Sequence, residues 1–235
     1  MLVLLLGVLT GLLLLIGGAT SAPEDAWLAS CAGLLTLKAG LVIVSLVAWF
    51  WTQSLIATRS LQDGRINDGL HDLTASWNAW LHSHHRAANG VLIASSAGID
   101  LLGLFLIGAG VFGPTLRPFL ALLILFIFRQ FSQALCALPT PPHMIWRHPG
   151  FPSLLVTYNT ANDFFFSGHT AIAVLGAITA TQCLPIGFGV AAILVALLEG
   201  TTVIVLRAHY TMDVLCAIAA AFCASSLAGQ ICGGN

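Results

Sequence analysis

The chain has 235 residues, of which 58% are hydrophobic and 7% are charged, and its formal net charge at pH 7 is −1. A soluble domain carries roughly 25% charged residues, so this composition excludes a protein whose surface faces mainly water. The near-neutral charge provides no basic face that could follow a nucleic-acid backbone, which excludes nucleic acid as a partner. The composition predicts a membrane protein.

Seven apolar runs follow one another along the chain, and a helix needs about 20 such residues to cross the hydrocarbon core. They cover 1–18, 27–51, 90–112, 116–137, 164–183, 186–206 and 209–231. Their Leu, Ala and Gly content and their lack of alternation favour helices over strands. We therefore expect an all-α polytopic transmembrane bundle of six or seven spans, forming a single membrane domain over 1–235.

The first run, 1–18, has two readings. A signal peptide is the alternative, because the small residues Thr20 and Ala22 could precede a cleavage point. No Lys or Arg precedes the run, and it is long for the apolar part of a signal peptide. We predict that it is the first transmembrane helix.

Two stretches that are more polar interrupt the runs, at 52–89 and 138–163, and we expect both on one side of the membrane. In the first, apolar residues at three-to-four spacing predict an amphipathic interfacial helix over 66–86. Its apolar face comprises Ile66, Leu70, Leu73, Trp77, Trp80 and Leu81, and its polar face comprises Asp68, Asp72, Ser76 and Asn78. We interpret His82, His84 and His85 as solvated side chains rather than a metal site. The second stretch, rich in Pro and aromatic residues, predicts an irregular loop packed over a cavity at the membrane face.

The histidines best placed for chemistry are His169 and His209, which are 40 residues apart in the sequence. That separation corresponds to one helix out and one helix back, so both side chains return to the same membrane face and can converge. Asp213 follows His209 at i+4, where its carboxylate can hold one ring nitrogen while the other attacks a substrate. We predict His169, His209 and Asp213 as catalytic residues.

The first turn after Ser167 is a candidate phosphate site. Ser167, Gly168 and His169 open an apolar run, and the N-terminus of a helix offers N–H groups and a positive dipole to an anion. Ionisable residues inside spans are costly and therefore suggest function. They are Lys38, Asp100, Arg129 and Glu199.

Arg129 lies about 12 Å from the end of its span, on the membrane face that carries the histidines. A guanidinium can hold phosphate through two hydrogen bonds, so we predict Arg129 as a phosphate clamp. A structural ion pair with Glu199 is the alternative. The full set of predicted substrate-binding residues is Arg129, Asp163, Ser167, Gly168, Arg207, Tyr210 and Glu199.

These residues resemble the motifs of the lipid phosphatase and phosphotransferase superfamily, the type 2 phosphatidic acid phosphatase-like proteins. Ser167-Gly168-His169 matches its first histidine motif, and His209 with Asp213 matches its second. The sequence looks most like the branch of sphingomyelin synthases and phosphatidylcholine:diacylglycerol cholinephosphotransferases, which carry His-Tyr-Thr-x-Asp and an Arg followed nine residues later by Leu-Pro-x-Pro. Here these are His209-Tyr210-Thr211-Met212-Asp213, and Arg129 with Leu138-Pro139-Thr140-Pro141.

The resemblance covers roughly 117–220, which we take as the catalytic core. It departs from the phosphatase branch at two phosphate-binding cations. Gly110 stands where that branch has a Lys seven residues before Arg117-Pro118, and Val203 stands where it has an Arg six residues before the second histidine. The departures favour the phosphotransferase branch.

The resemblance implies a ping-pong mechanism that needs no metal or other cofactor. His209, oriented by Asp213, attacks the phosphorus of a phospholipid donor, and His169 protonates the departing diacylglycerol. A lipid alcohol, diacylglycerol or ceramide, then takes the phospho-head-group, such as phosphocholine, from the phosphohistidine.

Two alternatives remain open. If water replaces the lipid alcohol, the enzyme is a lipid phosphate phosphatase or a phospholipase C-type hydrolase. The second alternative is a non-enzymatic lipid binder or transporter. The absence of an internal repeat and the position of the histidines at one interface favour an enzyme.

Orientation follows from the arginines. Arg59, Arg65, Arg86, Arg147 and Arg207 are predicted on the membrane face that carries the histidines, and Arg117 on the other. The positive-inside rule therefore predicts a cytoplasmic site, even when Arg147 and Arg207 are set aside as phosphate ligands. The resemblance to sphingomyelin synthases implies the lumenal or outer leaflet instead.

Overall fold

The regular elements of this chain are helices. A computed structural model describes residues 27–57, 66–156, 158 and 165–233, and every regular element in these ranges is an α-helix. In chain order they are α1 (Trp27–Ala57), α2 (Gly69–Leu73), α3 (Ala75–Ser83), α4 (His85–Phe112), α5 (Arg117–Leu135), α6 (Gly168–Cys183), α7 (Ile186–Val205) and α8 (Thr211–Ile231). The predicted all-α class is confirmed for this part of the chain.

Five of the described helices are long and apolar enough to cross a membrane. They are α1 over Gly33–Leu55, and α4, α5, α7 and α8 over their full lengths. The protein is therefore an integral membrane protein built as a polytopic helical bundle. The span predicted over 1–18 lies outside the described residues.

Helix α6 differs from the prediction of a span over 164–183. It has 16 residues, which gives about 24 Å at 1.5 Å per residue, less than the roughly 30 Å hydrocarbon core. It packs against α4, α5, α7 and α8, and most of its residues are buried. α6 is therefore the central helix of the bundle. The helices packed around it contact the lipid.

The segment predicted as one interfacial helix over 66–86 is divided into α2 and α3, and residues from His85 onward already belong to α4. The apolar side chains Leu73, Trp77 and Trp80 are exposed, as an interfacial position requires. The opposite face was expected to be solvated, but Asn78 is buried and donates hydrogen bonds to the carbonyls of Val205 (2.9 Å) and His143 (3.3 Å). Asn78 faces inward because its amide satisfies the carbonyl that the end of α7 leaves open at Val205.

The loop after α5 reaches halfway along α4. The carboxylate of Asp100 accepts hydrogen bonds from the backbone N–H groups of Leu154 (2.9 Å) and Leu155 (2.9 Å), and from the Ser153 hydroxyl. The N–H and C=O groups of irregular backbone need protein partners at this depth, because the hydrocarbon core holds no water to hydrogen-bond with them. A Cβ at Gly103 would lie 2.1 Å from Leu155 Cδ1, so the missing side chain makes room for the loop. Asp100 was noted in the sequence because an ionisable residue inside a span costs free energy. Its contacts here give it a structural role.

Candidate functional site

The turn between α7 and α8 brings His209 to the N-terminus of α8. The N–H of Arg207 donates to the Ile204 carbonyl (3.0 Å) and that of Ala208 to the Val203 carbonyl (2.9 Å), which is the Schellman pattern. Arg207 has a φ of 55°, where an L-residue costs about 1–2 kcal/mol relative to ordinary backbone and glycine is usual. Its guanidinium offsets this cost by donating to the His71 carbonyl (2.8 Å), and its Nε is buried without a partner among the described residues.

His209 and Asp213 form the first half of the site, and both are buried. The imidazole Nδ1 lies 3.6 Å from Asp213 Oδ2, as expected from i and i+4 positions, although this is longer than a hydrogen bond. The same Oδ2 accepts from the backbone N–H of Tyr210 (2.9 Å), so Asp213 also caps α8. Asp213 Oδ1 is buried without a hydrogen-bond partner among the described residues.

Ser167, Gly168 and His169 form the second half, at the N-terminus of α6. Ser167 is the N-cap residue, and its hydroxyl oxygen accepts from the N–H (3.3 Å) and the hydroxyl (3.1 Å) of Thr170. The backbone N–H of Ser167 donates to the Asp213 carbonyl (3.2 Å), which joins the two halves directly. The ring of His169 packs edge-on against Trp146, with the ring centroids 5.1 Å apart.

Arg129 reaches the same helix end from α5. Its Nε donates to the Phe166 carbonyl (3.1 Å), and a Cβ at Gly168 would lie only 3.2 Å from that Nε. Glycine at 168 therefore lets the guanidinium approach the first turn of α6. Its NH1 contacts the side-chain oxygens of Gln133 (3.4 Å) and Gln53 (3.5 Å). The guanidinium and the positive end of the α6 dipole meet here, and an anion bound between them would be stabilised by both.

The two short helices cover the site. His71 is buried, its Nε2 donates to the His209 carbonyl (2.9 Å), and its ring stacks on Tyr210. Asp68 caps α2 and also accepts from the N–H (2.6 Å) and the hydroxyl (2.5 Å) of Thr211. Burial alone would raise the pKa of the Asp68 carboxyl, but the hydrogen bonds from Thr211 and His71 outweigh it and hold that pKa below its usual value.

Tyr210 connects the site to the loop after α5. Its hydroxyl donates to the Pro139 carbonyl (3.1 Å), so the two motifs behind the resemblance meet in space. Burial raises the pKa of the Tyr210 hydroxyl, and the nearby carboxylates of Asp213 and Asp68 raise it further. Tyr210 therefore remains a protonated donor at neutral pH.

The predicted site residues are not all brought to one point. His169, His209, Asp213, Ser167, Gly168 and Arg129 gather at the N-termini of α6 and α8, with Tyr210 and Arg207 in the adjoining turn. The carboxylate of Glu199 accepts from the Ser95 hydroxyl (2.6 Å) and packs against Gly98, so these contacts are with α4. Asp163 lies outside the described residues.

Three residues at the site were not predicted to be there. Asp68 and His71 were assigned to an interfacial helix, and Trp146 was assigned only to the covering loop. An N-cap signal for Asp68 was available in the sequence, since Asp is favoured before a helix. Its contact with Thr211, 143 residues away, leaves no local signal.

An apolar groove begins beside the site and runs between α6, α7 and α8. Its volume is about 700 Å³, and it extends from Thr170, Gly200 and Val214 to Thr181 and Ile193. Along α6, Thr170 and Thr181 are separated by about 16 Å, which is roughly half of the hydrocarbon core. We call this the α6–α8 groove. Its lining and length suit one acyl chain of a membrane lipid.

One comparison with known proteins found a match. A family model described as PAP2 superfamily C-terminal matches residues 160–227. The matched segment contains α6, α7 and most of α8, and so both histidine motifs. This match supports a lipid phosphatase and phosphotransferase superfamily, a class of membrane enzymes that act on phosphate esters of lipids. No curated protein and no solved structure matches the chain.

Proposed function

We propose that the protein transfers a phospho-head-group, such as phosphocholine, from a phospholipid to a lipid alcohol by way of His209. The observation that carries the proposal is the meeting of two helix N-termini, joined by the Ser167-to-Asp213 hydrogen bond, with Arg129 beside Gly168. A histidine nucleophile, a second histidine and a phosphate-binding cation then belong to one site. This combination is sufficient for phosphoryl transfer through a covalent intermediate.

In the first step, a nitrogen of His209 attacks the donor phosphorus, and the bond from phosphorus to the diacylglycerol oxygen breaks. His169 gives a proton to that oxygen, and diacylglycerol leaves. Asp213 stabilises the cationic imidazole that forms, across the 3.6 Å from Oδ2 to Nδ1. Arg129 and the N-terminus of α6 stabilise the negative charge on the phosphoryl oxygens.

In the second step, the hydroxyl oxygen of diacylglycerol or ceramide attacks the same phosphorus, and the bond to His209 breaks. His169 takes the hydroxyl proton and returns to its starting state. The four side chains and the N-terminus of α6 supply the groups that these steps use. A lipid substrate is supported by the α6–α8 groove, which reaches the site at Thr170.

Hydrolysis is the second candidate function, because the family match covers phosphatases as well as transferases. Water would replace the lipid alcohol in the second step, with His169 as base. Burial of both histidines favours transfer, since a site closed to water slows hydrolysis of the intermediate.

The test uses purified protein in lipid vesicles with phosphatidylcholine labelled in its head group. We expect the label on ceramide when ceramide is added, and on phosphatidylcholine of the acceptor's acyl length when diacylglycerol with different acyl chains is added, with no transfer by His209→Ala. If free labelled phosphocholine is the main product and neither acceptor changes its amount, the protein hydrolyses phosphatidylcholine and does not transfer its head group. Label that stays on the original phosphatidylcholine under all conditions would contradict both transfer and hydrolysis of this lipid and leave the lipid phosphate phosphatase and the lipid binder or transporter.

A further inference from the structure

A small polar cavity lies at the end of the bundle opposite the histidines, where α5 begins and α6 ends. It has a volume of about 180 Å³, and Arg117, Thr179 and Ser225 contribute to its wall from α5, α6 and α8. We call it the α5–α8 cavity. Along α6, Thr179 lies about 16 Å from Gly168, so the cavity is separate from the phosphate site beside Arg129.

Arg117 is the charged residue in the lining of this cavity. Its guanidinium lies against α8, where a Cβ at Gly229 would be 3.1 Å from NH2, so the missing side chain makes room for the cation. Arg117 forms no hydrogen bond and no ion pair with any described residue. A guanidinium carries five N–H donors, and its charge is costly beside spanning helices unless acceptor atoms or an anion compensate it. The cavity therefore favours an occupant that has acceptor atoms and negative charge.

Two hydroxyl groups belong to the same cavity. Thr179 is 5% exposed and Ser225 is 8% exposed, and neither hydroxyl has a hydrogen-bond partner among the described residues. Hydroxyls in helices often bond to a carbonyl one turn earlier, as that of Thr201 does with Leu197 (2.9 Å). Both oxygens can be reached from the cavity, unlike the fully enclosed Ser45 Oγ of α1. Two buried hydroxyls beside an unpaired cation are the donors that an oxyanion requires.

The level of the cavity in the membrane indicates where such an anion comes from. α5 is long and apolar enough to span the membrane and begins at Arg117, so the guanidinium lies at the level of the lipid head groups. Thr115 and Cys183, which also line the cavity, are exposed, so it is open to its surroundings. The volume of about 180 Å³ equals that of roughly six molecules of liquid water, which is enough for a phosphate group and too little for an acyl chain.

We propose that the α5–α8 cavity binds a phosphate group, which accepts hydrogen bonds from the Arg117 guanidinium and from the hydroxyls of Thr179 and Ser225. A phospholipid head group of the leaflet opposite the histidines, or free phosphate, supplies this group. The ligand joins the ends of α5, α6 and α8 and therefore stabilises the folded bundle by mass action. The site does not depend on the proposed transfer reaction.

The test measures occupancy at the cavity itself, through alkylation of the exposed Cys183 thiol. A protein with Cys183 as its only cysteine is purified in an uncharged detergent without phosphate. Its alkylation rate is measured against increasing phosphatidylglycerol, inorganic phosphate or diacylglycerol. We expect at least one of the two phosphate compounds to slow alkylation at saturation, and diacylglycerol to leave the rate unchanged. Slowing by phosphatidylglycerol alone identifies a lipid head group as the ligand, and slowing by inorganic phosphate shows that the free anion is sufficient.

Matched variants decide whether the three donors are responsible. We expect Arg117→Gln to raise the Kd of the protecting compound about 10- to 100-fold, the value of one charged hydrogen bond. Ser225→Ala removes one oxygen and should raise it about three- to tenfold. Ser226→Ala, at the next and exposed position of α8, should leave it unchanged. Arg86→Gln removes an exposed cation at the other end of the bundle and should also leave it unchanged.

Equal protection by diacylglycerol, or no protection by either phosphate compound, would overturn the proposal. Equal Kd values for Ser225→Ala and Ser226→Ala would do the same. Thermal unfolding without ligand shows whether Arg117→Gln is folded, and if it is not, Ser225→Ala decides. Arg129→Gln should keep the protection of Cys183, and its loss there would place the ligand at the phosphate site near the histidines instead.

Discussion

Asp213 has two tasks that substitution can separate. Its Oδ2 caps α8 through the Tyr210 N–H and lies 3.6 Å from His209 Nδ1. Asp213→Asn keeps an oxygen for the cap but removes the charge, so we expect activity to fall by about 10²–10⁴-fold with little loss of thermal stability. Asp213→Ala should lose the same activity and also about 1 kcal/mol of stability. Assays of kcat/KM beside thermal unfolding of both variants test this; near wild-type activity in Asp213→Asn would refute the role.

Arg129 can also be tested by substitution, because its guanidinium donates hydrogen bonds in more than one direction. Nε is bound to the Phe166 carbonyl while NH1 faces Gln133, and a lysine ammonium cannot reproduce this geometry. We expect Arg129→Lys to lower kcat/KM by about 10- to 100-fold, the value of one charged hydrogen bond. Arg86→Lys is the matched control, since Arg86 lies exposed in the first turn of α4. If both variants behave alike, Arg129 is not the clamp, and Arg207 becomes the better one.

Among the site residues, those in local motifs were predictable and those that depend on distant contacts were not. The i and i+4 spacing of His209 and Asp213, and Ser167 as the start of a helix, follow from helical geometry alone. The pairing of Asp68 with Thr211 and of His71 with the His209 carbonyl joins residues about 140 positions apart, and no periodicity encodes it. Glu199 was predicted as a substrate ligand, or as a partner of Arg129, because the free-energy cost of an ionisable residue inside a span was the only signal for it. Its bond to Ser95 is visible only in three dimensions.

At the scale of elements, Asp68 joins α2 to α8 with a single carboxylate. Because its folded pKa lies below the unfolded value of about 3.9, its contribution to stability is present above that value and is lost as pH falls through the folded pKa. We expect the unfolding temperature of the wild type to fall between about pH 4 and more acidic values, and Asp68→Asn to lack this component. Thermal unfolding in detergent across pH 3–7 measures both. Parallel curves for the two proteins would show that the carboxylate carries no such contribution.

The elements also show where helical periodicity is a good guide and where it fails. α7 and α8 fall within two residues of the predicted runs, because long apolar segments leave few alternatives in a membrane. The segment over 66–86 is divided between short helices in the structure, and one residue of its predicted polar face, Asn78, donates to protein carbonyls rather than to water. The depth of the loop after α5 could not be predicted, since it depends on Asp100 and Gly103 of a helix that precedes it by some 50 residues.

For the whole molecule, the arginines predict a cytoplasmic site. Arg86 and Arg147 lie at the end of the bundle that holds the histidines, and Arg117 begins α5 at the other end. In a cysteine-free background, an impermeant thiol reagent should fail to label Ser83→Cys in intact cells and should label Thr115→Cys. Both positions are exposed on the protein, so the reagent's access to the two cysteines depends only on the side of the membrane on which each lies. The opposite pair of results would place the site at the outer or lumenal face.

The most direct measurement of the central claim is the mass of the peptide that carries His209 after exposure to donor lipid alone. With phosphatidylcholine present and no lipid alcohol, an acid-free quench should trap phosphocholine on His209 and release diacylglycerol. The adduct should be absent in His209→Ala and should disappear from the wild type when acceptor is added. An adduct on His169, or transfer by an enzyme that never carries one, would contradict the account.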